Sequence, residues 1–129
     1  MTKISARLVA LTAISAAVAV GCDSSPLVAP VASTISVSAS STTLAFGGTT
    51  EVSAYIVEEA GTVVQDGTVV RFSASLGRLD PEEAKTRNGV ARTTFTAGST
   101  AGTAQIFAES GAAVPVSGQG STVNIIIGP

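Results

Sequence analysis

The chain has 129 residues, seven Lys and Arg against nine Asp and Glu, a formal net charge of −2, no histidine and one cysteine. These counts exclude histidine metal sites, Ser-His-Asp and Cys-His catalysis, and a disulfide within the chain. The length allows one compact domain, and the acidic balance argues against nucleic acid, whose phosphates need clustered Lys and Arg.

Lys3 and Arg7 form a positive start, followed by 14 residues without a charge, 8–21. That stretch is shorter than the roughly 20 residues of a membrane-spanning helix and fits the apolar region of a secretory signal peptide. Its end, Ala19-Val20-Gly21-Cys22, resembles the lipobox of bacterial lipoproteins. The resemblance implies cleavage before Cys22, diacylglycerol on its sulfur and acylation of the new amine. Residues 1–21 are therefore expected to be a lipoprotein signal peptide, with Cys22 the lipidation site that joins the protein to a membrane. Removing 21 of 129 residues leaves 108, with five basic and nine acidic side chains, a balance of −4. Residues 22–32 contain Pro26 and Pro30 and show no sustained period, which predicts an extended, lipid-anchored spacer before a domain at 33–129.

From Ser33 the chain alternates. Ile35, Val37 and Ala39 face one way, and Ser36 and Ser38 the other. A turn at Gly47-Gly48 leads to a strand with Val52, Ala54 and Ile56 inward. Turn signals follow at Ala60-Gly61 and Asp66-Gly67, then a strand with Val70, Phe72 and Ala74 inward. Residues 75–84 read as a charged connection closed by Asp80-Pro81. Asn88-Gly89 suits the two positive-φ positions of a type I′ turn, and Ala91, Thr93 and Phe95 alternate after it. Ala104, Ile106 and Ala108 mark another strand, and Val123, Ile125 and Ile127 the last. The total is about seven short strands at sandwich spacing.

Gly67, Val70, Phe72, Gly77, Leu79, Asn88, Gly89, Ala91, Ala101, Gly102, Thr103 and Ala104 stand in an order similar to that of bacterial immunoglobulin-like domains of group 1, the invasin/intimin type. The resemblance spans about residues 33–128 and departs between Glu58 and Val64, where the family commonly turns through Asp, Gly and Pro. It implies an all-β, two-sheet antiparallel sandwich without a disulfide. It also implies work as a spacer or an adhesive module, with no catalytic residue to carry over.

Few residues carry chemistry. Asp80, Glu82 and Glu83 form the one carboxylate cluster and are weak candidates for a hard cation such as calcium, at a spacing that matches no known loop. The Gly-x-Gly of residues 117–122 precedes a β pattern and reads as a turn. Tyr55, Val57, Val69 and Phe107 alternate outward and would offer a binding patch if they met. In residues 123–127, Ile126 is expected outward on a proline-free, charge-free strand, a candidate interface if the strand lies at an edge and merely exposed if it is paired on both sides. The expected protein is a non-enzymatic lipoprotein of the bacterial envelope, without cofactors. It would bind a protein or glycan partner, with self-association or a spacer role as the alternative.

Overall fold

The structure, a computed structural model, describes residues 26–115 and 121–129. No helix forms among them. The strands are β1 (Thr34–Ala39), β2 (Thr43–Ala45), β3 (Thr49–Val57), β4 (Val69–Ala74), β5 (Arg78–Asp80), β6 (Glu83–Lys85), β7 (Val90–Thr96), β8 (Gly102–Glu109), β9 (Val114–Pro115) and β10 (Thr122–Gly128). They build two five-stranded sheets, ordered β5-β7-β3-β1-β9 and β2-β10-β8-β4-β6.

The expected alternation places the core. Val52, Ala54 and Ile56 of β3 are fully buried, as are Val70 of β4, Ala91 and Phe95 of β7, Ala104 and Ile106 of β8, and Ile125 of β10. Side chains from both inner faces interdigitate, which is how two sheets exclude water between them. Alanines let the sheets approach, and Phe95 fills the space left beneath the β4–β5 turn. A Cβ on Gly77, at φ +73, would stand 2.5 Å from the Phe95 ring.

Ten strands replace the expected seven. The additional ones are two or three residues long, too short for alternation to register. Residues 75–84, expected as a plain connection, supply two of them. β5 pairs with β7 at the edge of the first sheet, burying Leu79, and β6 pairs with β4 at the edge of the second. Two pairings are parallel, β1 with β9 and β2 with β10, so the sandwich is antiparallel only in its longer strands. The second arises because the chain leaves the first sheet after Ala39 and joins the other at Thr43. At the crossing, the Ser41 amide donates to Thr50 Oγ1 at 2.9 Å.

Asn88 and Gly89 take φ +50 and +79, and Arg87 and Val90 exchange amide-to-carbonyl hydrogen bonds of 2.9 and 3.0 Å. The tight turn forms as expected, but its arms part after one bridge, because β6 and β7 belong to different sheets. Gly89 is needed twice over: a Cβ there would lie 2.7 Å from Val63 Cβ. The last strand is no edge. β10 lies between β8 and β2, with β2 covering Ile126–Gly128.

Phe95→Ala is expected to cost about 3–5 kcal/mol through the cavity it leaves. Gly89→Val should also destabilise, whereas Ser38→Ala on the exposed face should do little. Denaturant unfolding reads all three, and equal small responses would contradict this packing.

Candidate functional site

The register divides the sandwich into two ends. β1, β4, β7 and β10 begin, and β3 and β8 finish, at the end where residues 26–33 enter. Gly128 and Pro129 leave at the opposite end, beside the connections β2–β3, β4–β5 and β7–β8.

The entering segment is not a free spacer. The Val69 amide at the head of β4 donates to the Leu27 carbonyl at 2.6 Å. The Ala29 amide donates to Ser110 Oγ at 3.0 Å, and that hydroxyl donates to the Val69 carbonyl at 2.6 Å. Ala29 and Ser110 are both buried, at 3% exposure. Gly111 follows at φ +51, and a Cβ there would lie 2.6 Å from the Ala29 carbonyl oxygen. Residues 27–29 are therefore a wedge between β4 and the end of β8, so this part of the segment expected as an extended spacer packs against the domain. Two prolines made the segment read as a linker, and its single core alanine carried no periodic signal. Cys22 and residues 1–21 lie outside the described residues, as do residues 117–120 of the Gly-x-Gly stretch.

The outward hydrophobes do not share one patch. Tyr55 and Val57 lie on the outer face of the first sheet, Val69 and Phe107 on that of the second, with the whole core between them. On the second face, side chains stand in cross-strand rows. Thr43, Ile126 and Thr103 make one row, Asn124 and Gln105 the next, and Thr122, Phe107 and Ser73 a third. None of these carries a charge, and Ile126 is 56% exposed. The fourth row, Glu109, Arg71 and Glu83, alternates in sign. Arg71 Nε meets Glu83 Oε2 at 3.3 Å with both side chains solvated, a pair that adds little stability. A shallow groove beside it is lined by Pro26, Val28, Val69, Arg71, Glu83 and Glu109.

The carboxylate candidates are not brought together. Asp80 ends β5 opposite Thr94 in the first sheet, whereas Glu83 pairs with Arg71 in the second. Glu82 uses its carbonyl to accept from the Phe72 amide at 2.7 Å. Among the described residues, no three acidic, cysteine or histidine side chains form a group suited to a metal.

Sequence reasoning also missed a buried hydroxyl network at the N-terminal end. Thr68 and Thr86 hydroxyls both donate to the Gln65 carbonyl, at 2.6 and 3.0 Å, and Thr86 Oγ1 accepts from the Thr68 amide at 3.1 Å. Asp66 Oδ1 accepts from the Asn88 amide at 2.8 Å, tying the two turns together.

Ser110→Ala strands the Ala29 amide and one Val69 acceptor, and is expected to cost about 1–3 kcal/mol. Ser33 is equally buried, but its Oγ has no hydrogen-bond partner among the described residues, so Ser33→Ala should change stability far less. Urea unfolding of the two variants distinguishes a clamp from a passive contact. Equal midpoints would remove the clamp.

No protein-family model and no curated protein matches the chain. Among solved structures, the adhesin InvE of Yersinia pseudotuberculosis is similar at a TM-score of 0.56 and 21% identity, over 81% of this chain and 29% of that one. The D00-D0 domain of intimin is similar at 0.59 and 20%, over 78% and 50%. A glycosyl hydrolase family 2 member from Bacteroides cellulosilyticus is similar at 0.62 and 16%, over 79% and 15%. The chain thus spans half or less of each of these proteins. The same sandwich serves within an adhesin and within a hydrolase, so the fold does not by itself assign a function. What the likeness establishes is architecture: this domain has an immunoglobulin-like sandwich fold, similar to domains of InvE and of intimin.

Proposed function

We propose that the protein is a non-enzymatic lipoprotein of the bacterial envelope, held to a membrane through a lipid on Cys22. Its immunoglobulin-like domain is presented for binding or adhesion, at the cell surface or in the periplasm. The observation that carries this reading is the opposition of the two ends. The chain that follows the lipobox-like motif enters at one end, so an anchor there leaves the far loops and the uncharged rows around Ile126 open to a partner. A protein partner is supported by likeness to an intimin fragment solved in complex with the intimin-binding domain of its translocated receptor, at a TM-score of 0.51 and 20% identity. The second reading is a self-associating or purely structural envelope subunit. It is favoured by the same uncharged face, which a second copy could cover without a like-charge clash.

Cys22→Ser is expected to abolish lipid addition, so that mass spectrometry finds no acylated N-terminal peptide and the protein no longer sediments with membranes. A wild-type protein cleaved elsewhere and washed free of membranes would sink the anchor. Stable attachment should require more than one acyl chain, since one alone binds marginally.

Ile126→Lys tests the face. Burying an isoleucine is worth about 1.5–3 kcal/mol, so self-association or capture of an envelope partner should weaken about tenfold or more. Analytical ultracentrifugation and pull-down from solubilised membranes separate the two readings. Association that is measurable and unchanged in the variant would place the interface elsewhere.

A further inference from the structure

Exposed hydrophobic side chains are unevenly distributed. Nine large ones are exposed among the described residues, and five of these, Leu27, Val28, Val31, Val63 and Val114, lie at the N-terminal end. The register places them there. Val31 occupies the turn before β1 and is 81% exposed, Val63 bridges the last residue of β3, and Val114 pairs with the first residue of β1. Leu27 and Val28 belong to the wedge against the head of β4.

The chain leading to this end is short. Three residues, 23–25, separate Cys22 from Pro26. Fully extended, those four peptide units reach at most about 14 Å. The nine-residue β3 makes the sandwich about 30 Å long, so the far end lies beyond the reach of a lipid on Cys22. The wedge removes the remaining freedom, because Leu27 and Ala29 are bonded into the domain rather than swinging from it.

We propose that the N-terminal end of the sandwich sits on the bilayer that holds the anchor, with Val28, Val31, Val63 and Val114 facing the headgroup boundary. This seat rests on the lipidation of Cys22 proposed above. It is apolar rather than electrostatic. Glu58, Glu59, Asp66 and Glu109 stand at this end with Lys85 and Arg87, a mixture that gives anionic headgroups no net attraction. Burial of apolar area at an interface stabilises without a charge partner, and the short tether keeps the surface in place. The β2–β3, β4–β5 and β7–β8 connections consequently face away from the membrane.

The test uses the full lipidated protein in vesicles of phosphatidylethanolamine and phosphatidylglycerol. Acylation consumes the thiol of Cys22, so Val31→Cys, Val114→Cys or Ser99→Cys each introduces the sole reactive thiol for an environment-sensitive dye. Labels at 31 and 114 are expected to be quenched by a lipid-borne quencher, with no change when phosphatidylglycerol is omitted or salt is raised. The label at 99, in the β7–β8 connection, is expected to escape quenching. Equal quenching at 31 and 99, no quenching at 31 and 114, or quenching lost in salt would each overturn the seat. The mass of the N-terminal peptide separates the two failures: no lipid on Cys22 overturns the anchor and the seat together, whereas a lipid without quenching overturns the seat alone.

Discussion

One hydroxyl decides how this domain meets the rest of its chain. Ser110 Oγ accepts from the Ala29 amide and donates to the Val69 carbonyl, joining the entering segment, β4 and the end of β8 at a single buried atom. Gly111 makes the approach feasible, because any side chain there would press on the Ala29 carbonyl. Without this junction, residues 26–32 would be a flexible lead, and a lipid upstream would tether the domain without orienting it. With it, the direction in which the chain leaves the sandwich belongs to the fold. The proposed seat on the bilayer and the outward presentation of the far loops both depend on that direction.

The sandwich supplies the rigid body that such an orientation needs. Its core is made chiefly of alanine, valine and isoleucine with two buried phenylalanines, so its stability comes from close fit rather than bulk. Among the described residues no charged side chain is buried, and the two ion pairs, Arg71–Glu83 and Arg92–Glu51, are exposed. The second sheet's outer face is neutral over three rows and charged only toward the N-terminal end, in the Glu109, Arg71 and Glu83 row and at Lys85 beyond it. That gradient leaves Ile126, Asn124, Gln105 and Phe107 free of competing charge.

Much of the fold was legible because its longer strands alternate strictly. β3 shows Val52, Ala54 and Ile56 inward against Glu51, Ser53 and Tyr55 outward, and no helical period competes with that pattern. The turn at Asn88-Gly89 was legible from its two positive-φ residues. Sheet membership was not, since an alternating strand looks the same in either layer. Hence alternation alone did not reveal that the core separates Tyr55 from Phe107, nor that β2 crosses over to pair with the last strand. Ile126 pointing outward followed from alternation, and only the partners of its backbone did not. The wedge was illegible for another reason: Leu27 acts through its carbonyl and Ala29 through its amide, and backbone groups leave no mark on side-chain pattern.

Hydrogen exchange at the amides of Ala29 and Val69 tests the central claim most directly, because both bonds of the wedge end on them. The account predicts protection of the same order as that of the β4 and β8 amides, lost at Ala29 in Ser110→Ala while β3 and β7 remain protected. Exchange of Ala29 and Val69 at the rate of an unstructured peptide in the intact protein would contradict it, and the fixed orientation of the domain would fall with the wedge.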